Sequence, residues 1–318
     1  QPEGKKGREK AAATDTADVP DNAYIDGRVA DLAATRVRTL ASQAQPFFLA
    51  VGFRRPHLPF SAPSRFWNQY DPEKLKTVPQ PEPPRGAPAV ALHDSAELRG
   101  YTDMPKLGPL TPAQITTLRH GYYAATSFTD SQIGRVLAAL RESGAEKNTL
   151  IVLWSDHGYH LGEHGLWAKT TNYEVDTRVP LIIARPRESH PGASSSALTE
   201  LLDVYPTLAD LCGLPAPAGT EGRTLRPWLD DPAAPSRLAA FSQFPRPWTY
   251  GDRPEVMGYA VRTATHRYVE WRRLGTREIV ARELYALAPG QGFETENIAG
   301  FAAESRRLRE LAALLPHP

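Results

Sequence analysis

The stretch from Ile151 to Gly158 constrains this chain more than any other, because it joins a strand-like apolar run to three chemically specialised residues. Ile151–Trp154 is apolar, and after one serine come Asp156, His157 and Gly158. A short apolar run that ends abruptly is typical of a buried strand, and open α/β sheets bind their ligands at the carboxyl ends of such strands. An acid and an imidazole at that position predict a metal or anion site.

Alternation of apolar runs with amphipathic segments predicts an α/β catalytic portion. The predicted strands are Phe47–Phe53, Leu150–Trp154 and Val179–Ala184. The predicted helices run from about Tyr24 to Leu40, from the capping box Thr111–Gln114 to Gly144, and from Val204 to Leu211 with Asp203 as the cap. Strands that are apolar on both faces and separated by helices favour a mostly parallel sheet sandwiched by helices.

The pattern changes after about Arg223, where short strands follow one another closely without helices between them. These strands are Ala240–Phe244, Met257–Thr263, Arg267–Trp271 and Ala281–Ala286. Such spacing predicts a smaller C-terminal α+β subdomain with an antiparallel sheet, closed by the helix Phe301–Leu314. The predicted organisation is therefore a disordered or cut segment over residues 1–20, a catalytic portion over 21–223 and the subdomain over 224–318.

Charge and composition exclude several classes of function. The formal net charge of the 318 residues is +1, which argues against a nucleic-acid coat or a basic membrane-surface protein. No apolar run approaches the roughly 20 residues that span a bilayer. Cys212 is the only cysteine, so an internal disulfide and a cysteine-based zinc site are excluded. We expect neither a nucleic-acid nor a membrane partner.

Several ordered motifs carry a resemblance to a known family. They are Pro46–Phe60, Tyr122–Arg135, Ser155–Lys169, Arg178–Ile182, Ser242–Pro247, Met257–Thr263, Glu283–Tyr285 and Glu296-Asn297. They resemble the sulfatases of the alkaline phosphatase superfamily, and most closely the iduronate-2-sulfatase type. The likeness covers most of the chain after Asp21 and implies an alkaline phosphatase-like fold.

The resemblance implies a role for each residue of the central motif. Asp156 and His157 match the family's metal ligands; the ion is usually Ca²⁺, with Mg²⁺ as the alternative, and a carboxylate supplies the hard oxygen atoms that Ca²⁺ prefers. Lys169 matches the sulfate-binding lysine, where its ammonium group would neutralise developing charge. The structural alternatives are a helix cap with a core histidine for the first two residues, and a solvated surface group for the lysine.

Further residues match substrate-binding or catalytic positions. His57, held between two prolines at the end of a predicted strand, resembles the histidine that binds sulfate or protonates the leaving oxygen. Tyr159 and His160 follow the metal ligands and are predicted to face the sugar, with packing as the alternative. Arg253 is a candidate clamp for a substrate carboxylate, against the simpler reading of a surface arginine.

One departure from the family concerns the nucleophile. The family uses a formylglycine made from the Cys or Ser of a Cys-x-Pro-x-Arg motif, and nothing in this chain matches that motif. Cys212 lies late in the chain with a proline at the wrong spacing, and an early Asp-Asp metal pair is also missing. We therefore expect the formylglycine in a missing N-terminal part, with a separate N-terminal chain as one source of it.

The sequence as a whole predicts a sulfuric ester hydrolase that acts on sulfated sugars and is incomplete, and inactive, as this chain alone. One alternative is a phosphonate or phosphodiester hydrolase of the same superfamily, because the same cationic groups would serve a phosphoryl transition state. The other is a non-catalytic, sulfatase-like remnant. Family resemblance implies periplasmic, secreted or lysosomal placement, although no targeting segment is present.

Overall fold

The computed structural model describes residues 11–186, 190–215, 218–248, 253–287 and 292–315. The chain forms two compact units. The first unit comprises Gln1–Pro79 and Ser95–Leu150, and the second unit comprises Gln80–Asp94 and Ile151–Pro318. The domain boundary predicted at residue 223 lies inside the second unit and stays a prediction.

The described part of the first unit contains two strands and four α-helices. In chain order they are β1 Thr14–Ala17, α1 Ile25–Ala41, β2 Phe60–Pro63, α2 Ser64–Trp67, α3 Ala96–Arg99 and α4 Pro112–Glu142. Strands β1 and β2 pair in parallel, and α4 packs against both α1 and β2. The apolar side chains Ala62, Phe66, Ala124 and Phe128 form the core at this contact.

The ends of α4 follow the sequence prediction. The Thr111 hydroxyl accepts a hydrogen bond from the Gln114 backbone, the Gln114 side chain returns to the Thr111 backbone, and Pro112 occupies the first turn. Gly144 follows the helix with φ of 74°, a left-handed conformation that glycine adopts without steric cost. Neither α4 nor any other helix in the described ranges is long and apolar enough to cross a membrane.

The second unit carries most of the strands. Its elements are β3 Ile151–Trp154, β4 His160–Leu161, β5 Trp167–Ala168, α5 Glu174–Thr177, β6 Leu181–Ala184, α6 Val204–Leu211, α7 Arg226–Asp230, β7 Ala240–Arg246, β8 Val256–Arg262, β9 His266–Arg273, β10 Ile279–Ala286 and α8 Ser305–Ala312. Strands β7 to β10 form an antiparallel sheet in the order β10-β9-β8-β7. Its buried core includes Val269, Trp271 and Tyr285, together with Tyr173 from outside the sheet. The predicted α/β class and antiparallel C-terminal sheet are confirmed.

Three local predictions were wrong. Residues 47–53 form no strand, and Phe48 is 81% exposed, because no described strand of the first unit pairs with their backbone. Strands β3 and β6 pair antiparallel rather than parallel, because the chain between them folds back on itself. The Asp203 side chain does not cap α6; it accepts hydrogen bonds from the backbone N–H groups of Glu200 and Arg223.

Replacing Thr111 by alanine tests the capping box of α4. We expect Thr111→Ala to lower the free energy of unfolding by about 1 kcal/mol, because the Gln114 N–H loses its acceptor. Thr126→Ala, at an exposed site in the same helix, is the control and should be neutral or stabilise by a few tenths of a kcal/mol. Urea unfolding followed by circular dichroism measures both; equal effects would contradict the capping role.

Candidate functional site

Residues 155–178, which we call the site loop, connect β3 to β6 and contain most of the predicted site residues. The Gly158 N–H donates to the Asp176 carbonyl at 2.7 Å and the Tyr159 N–H donates to the Val175 carbonyl at 3.1 Å. A Cβ atom on Gly158 would lie 1.8 Å from the Val175 carbonyl oxygen. Only glycine permits this approach, so the loop closes on itself immediately after the Asp156–His157 doublet.

The structure brings the two predicted metal ligands together. The His157 Nε2 atom lies 3.5 Å from the Asp156 Oδ2 atom, and the His157 backbone N–H donates to Asp156 Oδ1 at 3.1 Å. The His157 Nδ1 atom contacts the Gly158 carbonyl oxygen at 2.7 Å. The Asp156 side chain is 76% exposed, so its carboxylate is open to a ligand from solvent.

Lys169 occupies an unusual stretch of backbone on the same loop. It follows β5, which pairs antiparallel with β4 so that Ala168 faces His160. The residues on either side of the lysine, Ala168 and Thr170, are buried and have φ values of 73° and 87°. Residues with side chains rarely adopt this region, and such strain concentrates at functional sites. The half-buried lysine therefore leaves the chain from a backbone that is fixed on both sides.

A buried carboxylate–imidazole pair supports the loop from within. The His160 Nδ1 atom lies 2.8 Å from Asp176 Oδ1, and both side chains are fully buried. Burial alone would lower the pKa of His160, but Asp176 raises it above its ordinary value. Burial alone would raise the pKa of Asp176, but His160 and Thr171 hold it below its usual range. The predicted contact of His160 with the sugar stays a prediction, and its observed contacts give it a supporting role.

A second histidine continues this network. The His164 Nδ1 atom faces His160 Nε2 at 3.4 Å, and its Nε2 atom contacts the Glu294 carbonyl oxygen at 3.0 Å. Burial, followed by the neighbouring His160, lowers the pKa of His164 to about 4. His164 is therefore neutral at physiological pH and links the site loop to the chain after β10.

Ion pairs anchor α5 to the C-terminal sheet. Glu174 Oε2 lies 2.5 Å from Arg267 NH2 and 2.9 Å from Arg262 Nε, and the Glu174 backbone N–H donates to Glu294 Oε1. Burial alone would raise the pKa of Glu174, but Arg267 and Arg262 lower it below its usual range. Buried charges need such pairing, so these contacts fix one end of the site loop.

His57 belongs to the first unit, where its ring is held on both sides. Its Nε2 atom lies 2.9 Å from Glu97 Oε1, and its Nδ1 atom contacts the Leu58 carbonyl oxygen at 2.7 Å. The Asp26 carboxylate accepts hydrogen bonds from the backbone N–H groups of Arg54 and Arg55, which positions the segment leading to His57. For His57 Nε2 to contact a substrate, its contact with Glu97 would have to break.

Tyr159 and Arg253 are the two remaining residues that were predicted to contact the substrate. Tyr159 is half-buried at the start of the site loop, and Arg253 is exposed just before β8. Their predicted contacts with a sugar stay predictions.

Sequence reasoning missed the supporting residues Asp176, Glu97 and Asp26. Asp176 lies five residues from Thr171, whereas Asp26 lies 28 residues from Arg54 and Glu97 lies 40 residues from His57. No spacing rule indicated these partners.

The donor set offers only part of a metal site. The Asp156 carboxylate has the hard oxygen atoms that suit Ca²⁺, which takes six to eight oxygen ligands. Among the described residues, no group of three or more His, Cys, Asp and Glu side chains could hold a metal ion. The Asp156 carboxylate therefore fits Ca²⁺ in chemical type, whereas the imidazole nitrogen of His157 suits it less well, and a complete coordination shell needs further ligands.

Comparison with known proteins matches this chain over most of its length. The sulfatase family profile matches residues 6–214, and the profile for the N-sulphoglucosamine sulphohydrolase C-terminal region matches residues 162–303. Iduronate 2-sulfatase from Mus musculus is 32% identical over 338 residues, covering 88% of this chain and 61% of that protein. The Homo sapiens protein of the same name is 33% identical over 340 residues, covering 88% and 62%.

A solved structure shows the same similarity in three dimensions. Phosphonate monoester hydrolase from Silicibacter pomeroyi superposes with a TM-score of 0.75 at 28% identity, covering 93% of this chain and 60% of that chain. The chain thus spans about three fifths of the length of these relatives. The similarity extends from the first unit through the C-terminal sheet.

The low pKa of His164 predicts how stability depends on pH. Between pH 6.5 and about 4 the unfolded chain binds a proton at His164 that the folded chain does not, so stability falls as the pH falls. The raised pKa of His160 has the opposite effect on stability, because the stability that it contributes is lost only as the pH rises. We expect His164→Gln to reduce the loss of unfolding free energy between pH 7 and 4.5 by about 2 kcal/mol.

Urea unfolding at both pH values measures this difference. His190→Gln, at an exposed histidine, is the matched control and should follow the parent protein. Parallel pH profiles for the parent and His164→Gln would contradict the assignment.

Proposed function

Because this chain belongs to the sulfatase family, we propose that it forms the larger part of a hydrolase that cleaves sulfate esters of sugars. The observation that carries the proposal is the site loop, which holds the Asp156–His157 doublet and Lys169 on one closed stretch of backbone. Positive φ values at two buried residues on either side of a lysine are strained, and such strain is concentrated at functional sites. The match to the sulfatase family over residues 6–214 supports the same chemistry.

Lys169 acts on the sulfate group. Hydrolysis breaks the bond between sulfur and the ester oxygen, and the three non-bridging oxygens carry negative charge throughout. An ammonium group fixed in direction stabilises that charge without having to reorganise during the reaction. The strained backbone at Ala168 and Thr170 fixes the point from which the lysine side chain leaves the chain.

Asp156 and His157 contribute two ligands to a divalent cation, with Ca²⁺ as the proposed ion. When bound, the cation supplies Lewis acidity and positive charge beside the sulfate. The remaining ligands and the formylglycine nucleophile would come from polypeptide outside these 318 residues, either on the same gene product or on a separate chain. Among the residues present here, Asp156 and His157 are the ones that would hold the cation.

His57 acts on the leaving group. The ester oxygen leaves as an alkoxide unless it receives a proton, and an imidazole is suited to deliver one near neutral pH. The Asp26 contacts with the backbone of Arg54 and Arg55 hold the His57 segment in place. Glu97 orients the ring until substrate replaces it at Nε2.

The substrate is proposed to be a sulfated sugar, as the names of the iduronate 2-sulfatase relatives indicate for those proteins. Tyr159 offers a ring that could stack on a pyranose, and Arg253 offers a guanidinium for a uronate carboxylate. The same proposal locates the protein in the periplasm, a lysosome or the extracellular space.

A second candidate function is hydrolysis of phosphonate monoesters. The structural similarity to phosphonate monoester hydrolase favours it, because a fixed ammonium and a divalent cation would stabilise a phosphoryl group as well. Relative kcat/KM values for an aryl sulfate and an aryl phosphonate monoester distinguish the two candidates. Absence of turnover with both, after formylglycine is confirmed by mass spectrometry, would favour a non-catalytic protein.

Removing Lys169 tests the sulfate-binding role. In the full-length gene product, we expect Lys169→Ala to lower kcat/KM for an aryl sulfate by about 100-fold or more, because charge on the sulfate oxygens loses its fixed partner. Lys147→Ala, at an exposed lysine in the first unit, is the control and should leave the rate unchanged. Equal rates for the two variants would overturn the proposed function.

Varying the leaving group tests His57. We expect the loss of kcat in His57→Ala to be at least about tenfold larger for an alkyl sulfate than for an activated aryl sulfate, because a good leaving group does not need the proton. Rates for a series of sulfate esters with leaving groups of increasing pKa measure this difference. A loss that is the same for every ester would assign His57 to sulfate binding instead.

A further inference from the structure

We propose that Asp176 is the positioning residue that holds Lys169 in register with the Asp156–His157 doublet. This inference rests on the proposed function, since it assigns Asp176 to the site that Lys169 and the doublet form. Asp176 is 2% exposed, whereas the side chain of Asp156 in the doublet is 76% exposed. It acts through other residues and is not itself a group that touches substrate.

Asp176 binds the chain immediately after Lys169. Its Oδ2 atom accepts two hydrogen bonds from Thr171, from the backbone N–H at 2.8 Å and from the hydroxyl at 2.7 Å. Thr171 is two residues after the lysine, and the residue between them, Thr170, has φ of 87°. The double hydrogen bond fixes Thr171 and so keeps this unfavourable backbone conformation from relaxing.

Asp176 also restrains the backbone before Lys169. Its other oxygen, Oδ1, binds His160 at 2.8 Å. His160 lies in β4, directly opposite Ala168 in β5, the residue that precedes the lysine. One carboxylate therefore tethers the backbone on both sides of Lys169, through Thr171 on one side and through the β4–β5 pair on the other.

The same residue closes the turn of the doublet. The Asp176 carbonyl accepts the Gly158 N–H at 2.7 Å, and Gly158 directly follows His157. The carboxylate thus fixes the lysine while the backbone of the same residue fixes the doublet. A displacement of Asp176 would change the distance between the cationic side chain and the two proposed metal ligands.

Asp203 provides a matched comparison in the same unit. It is also fully buried, accepts hydrogen bonds from two backbone N–H groups, those of Glu200 and Arg223, and pairs with one cation, Arg237. None of these partners belongs to the site loop. If Asp176 served only to stabilise the fold, asparagine at either position would have the same consequences for activity.

The experiment compares Asp176→Asn with Asp203→Asn in the full-length gene product. Asparagine retains the shape, and its oxygen can still accept from Thr171, so the fold is expected to survive. Its uncharged amide group removes the charged acceptor that His160 contacts, and so weakens the tether to β4. At equal folded fraction, we expect Asp176→Asn to lower kcat/KM for an aryl sulfate by about 10- to 100-fold, the usual cost of losing a residue that orients a ligand. Asp203→Asn should stay within about threefold of the parent. Equal losses in the two variants, or full activity of Asp176→Asn, would overturn the inference.

A double-mutant cycle identifies the residue through which Asp176 acts. If it positions Lys169, Asp176→Asn should cost less than about threefold further in a protein that already carries Lys169→Ala, because there is then no ammonium left to misplace. Additive losses would overturn the inference while leaving the proposed function standing. A Lys169→Ala protein with parental activity would overturn both.

Inhibition by inorganic sulfate supplies an independent readout. We expect the inhibition constant for sulfate to rise by about tenfold in Asp176→Asn and to remain unchanged in Asp203→Asn. An unchanged constant in both variants would show that the anion-binding group had not moved, against the inference.

Discussion

The hydrogen bond from the Gly158 N–H to the Asp176 carbonyl is the contact on which the rest of the site depends. It can form only because residue 158 has no side chain, since a Cβ there would overlap the Val175 carbonyl. Once it forms, the chain returns beside its own starting point and β6 pairs antiparallel with β3. The closed loop then presents the doublet to solvent and directs Lys169 by its own hydrogen bonds.

The loop is held in place by buried charge rather than by apolar packing alone. Glu174 pairs with Arg262 and Arg267 of the C-terminal sheet, and Glu283 accepts hydrogen bonds from Tyr173, Tyr285 and Trp271. Burial raises the pKa of Glu283 in this network. Buried polar networks contribute little net stability, yet each group is costly to leave unpaired, so they favour a single arrangement. These contacts attach the site loop to the C-terminal sheet.

Parts of the fold were predictable because their determinants are local. The start of α4 follows from Thr111, Pro112 and Gln114, which satisfy the first N–H groups of a helix wherever it lies. The four C-terminal strands were predictable because short strand-like runs follow one another closely there, without helices between them. The strand predicted over residues 47–53 was wrong, because an apolar run forms a strand only when a backbone partner is present. The direction of β6 was not predictable, since apolar spacing is the same in parallel and antiparallel strands.

Sequence by itself determined the family and the residue types that are proposed for the site, because Asp156, His157 and Lys169 lie in one short motif whose order and spacing can be read directly. Tertiary structure alone decided how those groups are held. Asp176 follows Lys169 by seven residues, Glu163 and Glu174 are nearer to the lysine along the chain, and nothing in the spacing indicates that both oxygens of Asp176 face the loop. The contact of the His160 ring with Asp176 was not among the roles predicted for it, and the predicted contact with a sugar stays a prediction. Side-chain type is a property of each residue, whereas partnership depends on how the backbone folds in three dimensions, and a hydrogen bond is made or lost within a few tenths of an ångström.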